Sequence, residues 1–250
     1  MKTFKHSGAM GDLIYSLPIV KHFGPGEFYL HLNQMDWIGM NYYGALPAEF
    51  HKGRLTQKDF EFMKSFMLAQ EYITDFRTLD PKTDAITHNL DKFRLPFVGH
   101  PGNYVDIYAD CFNVEDKKSL RNNAWLTVPE PKTLAKCVIN RTQRWKADPA
   151  PAGWRSLADQ YKSQCVFVGL PDEHKAFERE VGWSVQYYPT ENMLELASVI
   201  AGADVFIGNQ SQCLALAIGL GLEFWCELRR DLPKERNECY FPDHPRAHWF

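Results

Sequence analysis

Among its 250 residues the chain has six cysteines and not one Cys-x-x-Cys pair, which removes the usual zinc-ribbon and dithiol signatures. Cys137, Cys165 and Cys226 lie inside apolar runs, as small buried hydrophobes in a reducing compartment do. His244 and His248 are four apart, but Pro245 between them spoils a helical ligand pair, so no metal site is expected. No apolar run approaches the roughly 20 residues of a membrane span. The opening, Met1-Lys2-Thr3-Phe4-Lys5-His6, lacks the apolar core of a signal peptide, and a cytoplasmic location is expected. There is no basic excess either. A formal net charge of −3 argues against a nucleic-acid partner held on a broad cationic surface.

Two nucleotide signatures are also missing at the most informative place in the chain. Gly8-Ala9-Met10-Gly11-Asp12 has no lysine after Gly11, so it is not a Walker A loop. With only Gly8 and Gly11 it falls short of the three-glycine dinucleotide fingerprint, and no NAD-type cofactor is expected. What is there is a strand-like opening, a two-glycine turn and an apolar helical run, the first βα unit of an α/β domain. Glycines let another molecule approach a helix N-terminus, where free N–H groups favour anions. Asp12 is misplaced in a turn that only cradles phosphate. It suits a turn that holds a base beside a polar, uncharged acceptor, and so points to group transfer. A stabilising first-turn carboxylate is the plainer alternative.

The second half of the chain alternates regularly. Strands are expected at 136–140, 165–169, 184–187, 204–208 and 222–226, and helices at 154–161, 172–181 and 212–220, with a further helix capped by Thr190 whose apolar face is Met193, Leu196, Ala197 and Ile200. Strands this apolar are buried on both faces, which implies a parallel sheet. The first half is less regular, with a strand at 27–32, a helix at 56–70, a strand at 83–88 and a helix at 104–112. A proline-stiffened linker, Val128-Pro129-Glu130-Pro131-Lys132, divides the chain into α/β domains at 1–128 and 133–250. The aromatic tail from Tyr240 to Phe250 is expected to pack, crossing back to the first half. Ligands of open α/β sheets bind beyond strand carboxyl ends. The ligand-binding candidates are therefore Arg141, Thr142 and Arg144 after one strand, Gly169 after another, and Asn209, Gln210 and Ser211 after a third. Guanidinium forks match phosphate oxygens, and the amide and hydroxyls suit ribose or phosphate.

Gly8-Ala9-Met10-Gly11-Asp12 with Ser16-Leu17-Pro18 resembles the N-terminal signature of the heptosyltransferase-like glycosyltransferases, family nine. The segment from Leu194 through Gly208, then Ser211 and Leu214-Ala215-Leu216-Ala217, is similar to that family's C-terminal helix, strand and helix. The resemblance implies a GT-B-like fold of two facing Rossmann-like domains with a cleft between them. It also implies an acceptor-side domain at 1–128, a nucleotide-sugar donor held by the domain at 133–250, which makes the ligand candidates there donor-binding, and metal-independent transfer, with Asp12 matching the family's general base. The chain departs from the pattern at Gln210-Ser211-Gln212, where the family has Asp-Ser/Thr-Gly, and at Ala215, where it has histidine. The expected function is transfer of a sugar from a nucleotide-sugar to a glycan or small-molecule acceptor. The alternatives are a non-catalytic nucleotide-binding or interaction protein on the same fold, and a nucleotide-sugar epimerase or hydrolase.

Overall fold

The computed structural model describes residues 1–33, 55–94, 102–231, 240, 241 and 243–250. The chain forms two compact units, Met1–Arg121 and Asn122–Phe250. The first opens with β1 (Lys2–His6), α1 (Met10–Phe23) and β2 (Gly26–Leu30), and continues with α2 (Gln57–Leu68), β3 (Ile73–Thr78) and β4 (His88–Asn89). A 3-10 turn at Leu90–Phe93, α3 (Tyr104–Cys111) and α4 (Lys117–Asn122) follow. Its sheet runs β3-β2-β1-β4, and every pairing is parallel. Residues 13–20 of α1 are buried without a break, because the helix is enclosed rather than laid on a surface. Thr56 caps α2 in a reciprocal box with Asp59, and Phe60, Met63, Phe66 and Met67 form its buried stripe.

The second unit comprises β5 (Cys137–Asn140), α5 (Gly153–Tyr161), β6 (Cys165–Phe167), α6 (Pro171–Val181) and β7 (Gln186–Tyr187). Then come α7 (Met193–Ala201), β8 (Val205–Asn209), α8 (Gln212–Leu220), β9 (Glu223–Glu227) and β10 (Ala247–Trp249). Its all-parallel sheet has the order β10-β9-β8-β5-β6-β7. Renumbered within the unit this is 3-2-1-4-5-6, the doubly wound arrangement of dinucleotide-binding folds. The core beneath it gathers Ile139, Trp154, Phe167, Phe177 and Ile207.

Several expectations are corrected. Asn192, not Thr190, caps α7, accepting the Glu195 N–H at 3.0 Å. Gly11 lies inside the first turn of α1, so Gly8 alone serves the turn before it. The proline-rich segment belongs to the second unit, where the Lys132 N–H reaches the Ser198 carbonyl at 2.9 Å. Trp125 and Leu126 are held there too, both donating to the Gly219 carbonyl. The tail packs as expected but within the second unit: β10 pairs with β9, and the Phe250 ring meets Trp154 edge-on. Gly153 leaves room for that ring, since a Cβ there would stand 2.6 Å from it. Among the described residues no helix is long and apolar enough to cross a membrane.

Candidate functional site

In the first unit the sheet changes direction of travel between β1 and β4, and the carboxyl ends of those two strands carry a charged series. Lys5, next to last in β1 and buried, has its ammonium 2.6 Å from Asp91. Asp91 is fully buried and also takes the Ser7 N–H and hydroxyl at 3.1 and 2.9 Å. Burial pushes its carboxyl up, but the surrounding cations outweigh that, and its pKa lies below the usual carboxylate range. The same carboxylate accepts from Arg94. A second arm of that guanidinium lies 3.5 Å from the Asp12 carboxylate. Signs alternate along Lys5, Asp91, Arg94 and Asp12. Only Asp12, 20% exposed, is open to solvent, against 4% or less for the other three.

A neutral network braces the same turn. The Gly8 N–H donates to Nδ1 of His6 at 2.8 Å, so that nitrogen is the acceptor and the ring proton sits on Nε2. Nε2 then donates to the Tyr108 hydroxyl at 2.8 Å, which donates to the Asp12 carbonyl at 3.1 Å. Burial drives the His6 pKa down to about 3, so the ring stays uncharged at neutral pH. A Cβ on Gly8 would collide with the Arg94 guanidinium and stand 2.9 Å from the Asp12 carboxylate. Glycine is required there by close approach. Gly8→Ala is expected to force these groups apart at a cost of about 1–3 kcal/mol. Urea unfolding of the full chain checks this, and parental stability in the variant would contradict it.

The second unit has its switch point between β5 and β8, at Asn140 and Asn209. Here the side chains at the two strand ends are amides and hydroxyls. Asn140 donates through Nδ2 to the Val168 carbonyl at 2.9 Å and accepts the Ser211 hydroxyl at 2.9 Å. Ser211 also caps α8, accepting the Leu214 N–H at 3.3 Å. Asn209 holds Thr142 from both sides, taking its N–H at 2.9 Å and donating to its carbonyl at 2.8 Å. Gly169 has φ +124°, and a Cβ there would press on Asn140 and Glu173. Burial raises the Glu173 pKa, and the carboxylate takes the Leu170 N–H at 3.0 Å.

Thr142, Gly169, Asn209, Gln210 and Ser211 are therefore grouped at two adjacent strand ends and the loop beside them. Arg141 is not available to a ligand. Fully buried, it pairs with Glu227 through Nε and Nη2 at 2.6 and 3.0 Å, with Glu180 at 2.7 Å, and with the Ala147 carbonyl at 2.9 Å. The expected phosphate contact is thus a structural ion pair. Arg144 is exposed and lies 5.6 Å from the Trp145 ring centre, which Arg229 approaches at 5.1 Å. His244 packs between Phe224 and Phe241, and His248 lies 3.0 Å from Glu223, so the two histidines have separate partners. Sequence reasoning missed Asp91, Arg94, His6 and Tyr108. The available signal was Lys5, a cation in an apolar strand that demands a buried partner.

No family model matches the sequence, and no curated protein matches it. Solved structures match in fold. A glycosyl transferase of family 9 from Veillonella parvula DSM 2008 aligns with a TM-score of 0.62 at 11% identity, over 99% of this chain and 84% of that one. An E. coli ADP-heptose LPS heptosyltransferase II gives 0.54 at 11% identity, over 100% and 90%. The E. coli heptosyltransferase WaaC with ADP gives 0.52 at 14% identity, over 100% and 92%. The chain has the α/β fold of GT-B glycosyltransferases, each unit with its own parallel sheet.

Proposed function

We propose that the protein moves a sugar from a nucleotide-sugar donor to an acceptor hydroxyl, with Asp12 as the base. The observation that carries this reading is Asp12 itself, the solvent-reachable end of an otherwise buried charge series at a strand carboxyl end. In the step it serves, the acceptor hydroxyl gives its proton to the Asp12 carboxylate. Its oxygen bonds to the anomeric carbon as the bond from that carbon to the diphosphate breaks, and the nucleoside diphosphate leaves with the electron pair. The donor belongs at the β5/β8 switch point, where amides and hydroxyls line the two strand ends and the pKa of the neighbouring carboxylate, Glu173, is raised by burial. The N-terminus of α8 and the exposed Arg144 supply donors to the leaving phosphates. The structure of WaaC with ADP supports a nucleoside diphosphate as the class of ligand.

One observation favours a second reading, a nucleotide-binding protein without transfer: Ala215, fully buried on α8, stands where the family that the chain resembles has a histidine. A thermal-shift screen with ADP, UDP, GDP and their sugars tests donor binding. A ligand at about 100 times its Kd stabilises the folded chain by about 2.7 kcal/mol. One nucleotide class is expected to raise the unfolding temperature. If none does at millimolar concentration, both readings fail.

A further inference from the structure

We infer that Arg94 is the positioning residue for Asp12, fixing the direction of its carboxylate and setting the pH at which it can accept a proton. The inference rests on the reading of Asp12 as base and adds a residue to it. Arg94 is 3% exposed, so its guanidinium cannot swing into solvent to choose another partner. One arm is tied to Asp91, whose own place is fixed by Lys5 and by two donors from Ser7. The other arm faces Asp12 Oδ2 across the space that Gly8 leaves by having no Cβ. The guanidinium is a planar fork, and with one edge pinned the direction of the other edge is set. Lysine, a single-point cation on a flexible stem, could supply the charge but not that direction.

Among the described residues Asp12 meets Arg94, from the segment after β4, and Tyr108, from α3. Behind these two stand Asp91, His6 and Lys5 of β1, and His31 after β2, whose pKa is lowered by burial and by Lys5. His6 is neutral and Tyr108 bonds to the Asp12 backbone, while Lys5 is spent on Asp91. Among the described residues Arg94 is thus the cation at shortest range from Asp12, and it stabilises the ionised carboxylate.

The test needs no substrate. The Asp12 carboxylate is followed by 13C NMR titration of the full chain, its resonance assigned by its loss in Asp12→Asn. In Arg94→Gln the titration midpoint is expected to rise by about one to three pH units. Arg94→Lys should return part of that shift, while transfer, once a donor and acceptor pair is in hand, stays depressed. If Arg94→Gln does not fold, the coupling is read from the other side, as a shift of the Arg94 Nε resonance between parent and Asp12→Asn. An unchanged Asp12 midpoint in Arg94→Gln, or an unchanged Arg94 resonance in Asp12→Asn, overturns the inference. The base assignment is judged separately. If the coupling is present and Asp12→Asn still transfers sugar, the coupling stands without its catalytic purpose and Asp12 is not the base. If the coupling is missing and Asp12→Asn is inactive, Asp12 remains the base and Arg94 serves Asp91 alone.

Discussion

Asp12→Asn is expected to slow sugar transfer by about 10²–10⁴-fold, the usual contribution of a general base. Asparagine keeps the size of the side chain and an oxygen that can face Arg94, so the turn and the ion-pair series behind it should survive. What it loses is the ability to take a proton. Nucleotide affinity should therefore match the parent, because the donor is assigned to residues of the second unit. Transfer is measured with the donor found in the thermal-shift screen, and binding by calorimetry on the same preparations. Parental turnover in the Asn variant would make Asp12 a first-turn carboxylate that only stabilises its helix, and the reading without catalysis would take over.

Glu227→Ala is expected to destabilise the second unit by about 3–5 kcal/mol, as breaking one side of a buried ion pair does. Glu227 is fully buried and does more than neutralise Arg141. It also takes the Ala147 N–H at 2.5 Å and the Trp154 indole N–H at 2.8 Å. The carboxylate thus ties the loop after β5 and the start of α5 to the end of β9. Its removal strands a buried guanidinium that keeps Glu180, a partner 24% exposed to solvent. Urea unfolding of the full chain reads the effect. A loss below about 1 kcal/mol would mean the pair contributes no more than a surface salt bridge. Glu227→Gln, which keeps the shape and part of the hydrogen bonding, should fall between the two.

The alternation of apolar strands with helices made the second unit legible, and α8 runs over the same residues that the periodicity indicates. The first unit was harder because its edge strand β3 carries Asp75 and Arg77 on a partly exposed ladder and reads like a loop. β4 is only two residues long, too short for any period to register, and residues 83–87 ahead of it form no strand. At the site, strand ends could be located from sequence, but not which side chain each would meet. Arg141 looked like a phosphate ligand because its partner Glu227 lies 86 positions away. Asp91 and Arg94 escaped notice for the same reason. They are defined by Lys5 and Asp12, contacts that the sheet creates and no local pattern encodes.

The strand order of the second unit also bears on how the chain reaches its native state. The innermost seam joins residue 137 to residue 205, so β5 waits for its neighbour while β6, β7 and three helices are made in between. Parallel pairing over such a separation pays its loop-closure entropy before any contact repays it, which slows folding. Gly208 sits on that seam, where a Cβ would run into the Asn140 carbonyl of the facing strand. The crevice assigned to the nucleotide is bounded by these same two strands. A ligand that grips both sides rewards only chains in which the seam has closed, and so slows their unfolding more than it speeds their folding.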